Sequence, residues 1–207
     1  EGLIKLVEGV VHALPAASGL ARRPVLSLNE GPDGRIWCGL REGIAVLSSD
    51  GSVELLPEAG RSIRNMARDK SGNLWLATEL GLVKYSGGNF QRFNKEQGLS
   101  DNTVLCLLVD KKERIWAGTA NGLSCMDHGK LRTFKLAPDF GSNYINLLVG
   151  DNDGRIWLGT NNGLFILHPD SLLVGSGMPE HITLNDGLRS LEFNLNAGYV
   201  DDRGRLF

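Results

Sequence analysis

The sequence predicts an all-β fold, a β-propeller of four-stranded antiparallel blades, and three observations predict it. First, one stretch of about a dozen residues recurs: DGRIWCGLREGI (33–44), SGNLWLATELGL (71–82), ERIWAGTANGL (113–123) and DGRIWLGTNNGL (153–164), with a further start, RGRLF, at 203–207. All four tryptophans, Trp37, Trp75, Trp116 and Trp157, fall inside these copies. Second, those tryptophans lie 38, 41 and 41 residues apart, and periods near ~40 belong either to helical-pair repeats or to propeller blades. Third, the content of each period is β. VLCLLV (104–109) and INLLV (145–149) are short apolar runs, bounded by turn chemistry such as Asp33-Gly34, Ser71-Gly72-Asn73 and Asp153-Gly154. No window shows a clean helical period, and 27 glycines weigh against long helices.

The elements follow in order within one period. In the third, strand a is expected over Val104–Asp110, strand b over Arg114–Thr119, strand c over Gly122–Met126 and strand d over Leu131–Leu136. The middle strands are apolar on both faces, which suits a sheet sandwiched between two others rather than one lying on water. Along strand b, Ile156, Leu158 and Thr160 face one way and Trp157 and Gly159 the other. The residue two after each tryptophan is small: Gly39, Ala77, Gly118, Gly159. The expectation is that each indole is buried between blades while its small neighbour admits a bulky residue of the next blade. Gly43, Gly81, Gly122 and Gly163, six after each tryptophan, sit where a tight b–c turn needs φ > 0. Thr78, Thr119 and Thr160 precede that turn with a hydroxyl for its backbone, and Leu40 stands there in the first period.

The repeat divides the chain into a half blade (1–18), blades 19–59, 60–98, 99–139 and 140–185, and a half blade (186–207). Gly2-Leu3 aligns with Gly122-Leu123, so the first residues read as strand c. The halves suggest a split blade, with Gly2–Val7 beside Arg205–Phe207 and Val10–Leu14 outside, closing a ring of about five blades. The alternative is a segment of a larger propeller.

The same residues resemble a known family. An apolar strand, Asp, a Gly turn, Ile/Leu-Trp, a small residue, Thr and Gly-Leu together look like the two-component regulator propeller repeat, and Gly98-Leu99-Ser100-Asp101-Asn102 is similar to the linker that precedes its strand a. The segment 186–207 looks like the last repeat of such a propeller. The resemblance implies the extracytoplasmic sensor region of a hybrid histidine kinase or related signalling protein, on the periplasmic or extracellular side of a bacterial membrane.

Composition narrows the partners. The net charge is −2 and no like-charge run exceeds a few residues, so nucleic acid is not expected. No apolar run approaches ~18 residues, so no membrane contact is expected within the chain. Cys38, Cys106 and Cys125 are odd in number and sit in strand-like slots, as small buried hydrophobes do. The four histidines lack metal-ligand spacing, and Asp151-Asn152-Asp153-Gly154 lacks the later acid of a calcium loop and reads as a hairpin turn. No nucleophile elbow or dinucleotide cradle is present, so no metal, no cofactor and no enzymatic activity are expected.

Function must then reside in loops. The d–a and b–c connections vary between copies in size and charge where the core slots do not. Arg41, Arg61, Glu79, Asn102, Asn143, Tyr144 and Asn161 are the candidate ligand-binding residues, suited to a small polar ligand such as an oligosaccharide, or to a partner subunit. Self-association as a dimer is a further expectation. The rival readings are a propeller enzyme of the streptogramin-lyase type, for which Glu79 and Glu192 are the available carboxylates, and a purely structural scaffold.

Overall fold

Each repeat folds into the four-stranded meander its turns dictate. In this computed structural model, residues 3–8, 10–13, 20, 23–134, 143–201, 203 and 205 are described. Blade 1 holds β3 (Ser27–Glu30), β4 (Ile36–Gly39), β5 (Ile44–Leu47) and β6 (Val53–Leu56). Blade 2 holds β7 (Asn65–Arg68), β8 (Leu74–Thr78), β9 (Gly81–Ser86) and β10 (Asn89–Phe93). Blade 3 holds β11 (Val104–Val109), β12 (Ile115–Thr119), β13 (Gly122–Asp127) and β14 (Lys130–Phe134). Blade 4 holds β15 (Ile145–Gly150), β16 (Ile156–Thr160), β17 (Gly163–Leu167) and β18 (Glu180–Ile182). All four sheets are antiparallel and ordered a-b-c-d. The expected strands of the third period are found to within three residues at their ends, and the last two of its strand d lie outside the described residues. Blade 4 is the longest because a short helix, α1 (Pro169–Leu173), is inserted between its strands c and d.

The inner strands stand side by side, β7 between β3 and β11, and β11 between β7 and β15. The core therefore lies between blades rather than within one sheet. Trp116, Leu123 and Cys125 of blade 3 pack with Ile145, Leu148, Ile156 and Phe165 of blade 4. Trp37 meets Ile63, Met66 and Leu76 of blade 2, and Trp75 meets Val104, Leu107 and Ile115 of blade 3. Trp37, Trp75 and Trp116 are buried as expected, whereas Trp157 is only partly so. The reason is its neighbour: no full blade follows blade 4 among the described residues.

The small residue after each tryptophan works as anticipated. A Cβ on Gly39 would lie 2.4 Å from the Ile63 carbonyl, one on Gly118 would lie 2.7 Å from Ile145, and one on Gly159 would lie 2.8 Å from Phe193. Each glycine thus admits one bulky residue of the next unit, and Phe193 plays that part for the terminal segment.

Before blade 1, β1 (Ile4–Val7) pairs antiparallel with β2 (Val10–Ala13) as a separate two-stranded sheet. The expected pairing with Arg205–Phe207 falls partly outside the described residues, and among those described the sheets do not close into a ring. One face of blade 1 is consequently open. Ile36 is 41% exposed where its equivalents Leu74, Ile115 and Ile156 are 0, 2 and 0% exposed. Leu28 is likewise 52% exposed where Met66, Leu107 and Leu148 are each 6%. With Leu3, Ile4 and Leu47, these residues line a groove of about 730 Å³.

Candidate functional site

Strand a begins and strand b ends at the same end of each blade, so the d–a and b–c connections form one rim. Its frame repeats. The hydroxyls of Thr78, Thr119 and Thr160 donate to the carbonyls of Gly81, Gly122 and Gly163 and accept from the amides of Leu80, Asn121 and Asn162. The glycines hold φ of 129°, 111° and 107°, the region where an L side chain is strained. Neighbouring blades are tied by backbone bonds: Ser62 donates to the Arg41 carbonyl at 2.9 Å, and Gly122 to the Asn143 carbonyl at 2.7 Å.

On this frame the predicted residues are distributed rather than gathered into one pocket. Arg61 and Glu79 come together at 3.5 Å, and Glu79 also accepts from the Ser62 hydroxyl at 3.0 Å. Ser62 adopts a left-handed φ of 51°, uncommon for a residue with a side chain and concentrated at constrained sites. Asn161 accepts from the Asn146 amide at 2.7 Å. Asn102 is exposed, and its side-chain oxygen serves the loop by accepting from Lys95 N–H at 2.9 Å. Arg41 is exposed, while Asn143 and Tyr144 are half-buried before β15.

Sequence reasoning missed a second set of residues, asparagines of the inner strands and of the terminal segment. Asn29 donates to the Met66 carbonyl, and Asn65 accepts from Leu107 N–H, just after the irregularity between Val104 and Cys106 of β11. Asn196, with φ of 52°, donates through its side chain to the Arg64 carbonyl at 3.0 Å and through its backbone to the Asn146 carbonyl at 2.9 Å. A polar residue amid an apolar strand-a run was the available signal.

The opposite rim, carried by the a–b and c–d turns, is built on carboxylates. The Trp75, Trp116 and Trp157 indoles donate to Asp69, Asp110 and Asp151 at 2.9, 2.8 and 2.9 Å. In blade 1 Gly31 occupies the aspartate position, and Asp33 accepts from Trp37 at 3.2 Å instead. Burial pushes the Asp69 and Asp151 carboxyls up, but the indole and the Asn73 or Arg155 hydrogen bonds outweigh it and leave both below the ordinary carboxylate value. Asp151 is thus the hinge of a turn, as its hairpin reading requires. Two grooves of about 360 Å³ open on this side, between blades 2 and 3 and between blades 3 and 4. In the second, Asp170 of α1 neutralises Lys112 and Arg114 at 2.7 and 2.6 Å.

The cysteines behave as hydrophobes: all three are free and buried, and burial pushes the Cys38 thiol up to about 11 and that of Cys125 to about 12. Among the described residues no cluster of three or more histidine, cysteine or acidic side chains could hold a metal, and no helix is long and apolar enough to cross a membrane.

Comparison with known proteins matches this geometry. The family model described as two component regulator propeller matches residues 57–79, 98–121 and 139–162. No curated protein matches the chain. Among solved structures, the extracellular domain of a hybrid two component system from B. thetaiotaomicron is similar, with a TM-score of 0.74 and 20% identity over 89% of this chain and 26% of that one. A second extracellular domain from the same organism, of a one component system, gives 0.57 and 15% over 96% of this chain and 36% of that one. Virginiamycin B lyase from Staphylococcus aureus gives 0.62 and 13% over 88% and 68%. The chain therefore spans about a quarter to a third of the length of the two extracellular domains.

Proposed function

Since the chain carries two component regulator propeller repeats, we propose that it is part of an extracytoplasmic sensor propeller that binds a polar ligand, an oligosaccharide being the leading class, on the rim of its d–a and b–c loops. It recognises rather than reacts. The observation that carries this reading is the contrast between frame and rim. The threonine–glycine clamp is the same in blades 2, 3 and 4, while the residue after that position changes from Arg41 in blade 1, where Leu40 replaces the threonine, to Glu79, Ala120 and Asn161. A frame so regular would tolerate uniform loops; a rim that presents an arginine, a glutamate and an asparagine at equivalent positions suits a ligand with several distinct polar groups. The extracellular domains among the similar structures support the same reading.

A thermal-shift screen of oligosaccharides and small polar metabolites tests it, because a ligand bound only by the folded state raises the unfolding temperature. A ligand whose affinity is lowered by changes at Asn143 and Tyr144 supports the rim. A ligand insensitive to every rim residue, or a measurable turnover of the compound bound, removes the reading.

A further inference from the structure

The open face of blade 1 is half of an interface that the chain builds three times between its own blades. There the tryptophan of one blade and the apolar residue after its b–c glycine pack against strands a and b of the next. Trp37 and Ile44 meet Met66 and Leu74, and Trp75 and Leu82 meet Leu107 and Ile115. In blade 1 the receiving positions are Leu28 and Ile36. They are apolar like their equivalents yet 52 and 41% exposed, in a groove whose rim carries Asp33, Arg35 and Asp50. An exposed apolar surface rimmed by polar residues marks an interaction site.

Part of the partner is already in place. Leu3 stands at the position of Ile44, Leu82 and Leu123, and it packs with Cys38, Leu40 and Ala45 of blade 1 as a strand-c residue should. β1, which follows it, therefore serves as strand c and β2 as strand d of a unit laid on blade 1. In all four full blades strand c pairs with d on one side and with b on the other, whereas among the described residues β1 pairs with β2 alone. The free edge of β1 calls for a strand b, and the groove over Leu28 and Ile36 calls for the aromatic residue that strand b carries. Two independent features, an edge and a groove, ask for the same object.

We propose that this site docks one extended segment, the strand b of a further propeller repeat outside these 207 residues. It adds antiparallel to β1 and lays its aromatic side chain on Leu28 and Ile36. The register of the full blades fixes the rest. The small residue of the incoming strand lies opposite Leu3, as Gly39 lies opposite Ile44 and Gly118 opposite Leu123. The aromatic residue lies opposite Lys5, as Trp75 lies opposite Lys84. A second copy of the chain has no such strand to give, because β4, β8, β12 and β16 are each paired on both edges. The chain's own RGRLF (203–207) offers phenylalanine, without the indole donor that the aspartate clamp uses. Phe193, earlier in that segment, is anchored on blade 4 at the other end of the array. The proposal stands independently of the rim reading.

Fluorescence polarisation and hydrogen exchange on the whole chain test it, with a labelled peptide DGRIWLGTNN, the sequence of residues 153–162, as the incoming strand. The peptide binds saturably and slows amide exchange across β1. Its version with alanine for tryptophan binds more weakly by roughly tenfold or more. Leu28→Asp and Ile36→Asp each weaken binding by roughly tenfold or more, and the milder Leu28→Gln acts in the same direction. Leu55→Asp, at a leucine 50% exposed on the outer strand of the same blade, stays within about twofold of wild type. No saturable binding, indifference to the tryptophan, indifference to both Leu28 and Ile36, or binding without protection of β1 overturns the proposal. Binding that appears only after removal of residues 203–207 overturns it by assigning the groove to the chain's own end. A dimer dissolved by Leu28→Asp overturns it in favour of a second copy.

Discussion

The indole N–H of Trp116 donates to the Asp110 carboxylate at 2.8 Å, so the residue that fills the space between blades 3 and 4 also closes the a–b turn of its own blade. Asp110 further accepts from the amides of Lys112 and Arg114 and from the Arg114 guanidinium. Core packing and turn geometry are one unit, and it recurs at Asp69–Trp75 and Asp151–Trp157.

Breaking that unit from the core side is the more damaging. Trp116→Ala is expected to lower stability by about 3–5 kcal/mol, as large aromatic truncations in a core do. Trp116→Phe keeps most of the packing and strands an acceptor, for about 1–3 kcal/mol. Denaturant midpoints measure both. A Trp116→Ala protein within 1 kcal/mol of wild type would mean that the blades are not held together through this residue.

Acid should loosen the same turns. The Asp69, Asp151 and Asp33 carboxyls titrate below their ordinary value in the folded chain. A depressed folded pKa contributes stability that is present above the unfolded value of about 3.9 and is lost as pH falls through the folded one. Urea midpoints should therefore be flat from neutrality to about pH 5 and fall below about pH 4. Asp151→Asn should be less stable at neutrality and lose less on acidification. A steeper acid loss in Asp151→Asn than in wild type contradicts this assignment.

The fit of Gly159 against Phe193 predicts a compensating pair. A methyl at Gly159 meets the Phe193 side chain at 2.8 Å and Leu147 at 3.0 Å, so Gly159→Ala should cost about 1–3 kcal/mol. In a Phe193→Ala background the same change should cost distinctly less, a coupling read from a double-mutant cycle. Gly39→Ala offers the contrast. There the Ser27 hydroxyl and the Ile63 backbone oxygen both stand in the way, and side-chain trimming can remove only the first. Strict additivity at Gly159 and Phe193 would argue against their contact.

The two rims should differ in binding. Once a rim ligand is in hand, combined alanine changes at Asn143 and Tyr144 should weaken it roughly ten- to hundredfold, one to a few kcal/mol. Changes at Lys111 and Lys112, whose exposed ammoniums reach Asn152 and Asp170, should leave binding within about twofold of wild type. Isothermal titration decides, and the opposite ranking would move the site to the a–b turns.

Much of this molecule is legible in its sequence, and the reasons are local. The b–c turn could be read from Thr119, Asn121 and Gly122 because a tight turn permits few residues at a positive φ. The inter-blade pairing of Gly118 with a bulky partner could be read because the small residue keeps a fixed distance from each tryptophan. The aspartate clamp was visible as a turn, but its grip on the indole was not, since six residues of separation say nothing about which way a ring N–H points. Arg64, Asn146 and Asn196 were opaque for a stronger reason. Their association depends on how the blades lie around the axis, and 132 residues separate Asn196 from the carbonyl it reaches. Asn102 looked like a free loop amide, yet its partner Lys95 lies in the connection just before it.

The uncovered face of blade 1 has a consequence for how the array comes apart. In a stack where each unit touches only its neighbours, local stability is the sum of an intrinsic part and the interfaces on either side. Leu28 and Ile36 leave one of those interfaces unmade. Opening should therefore begin at this end and travel inward. Amide hydrogen exchange should be fastest in β3 and β4, and slowest in β8 and β11, which are flanked on both sides. The graded protection would make the array melt from this open face inward, and any element laid over Leu28 and Ile36 would act on the whole stack by slowing that step.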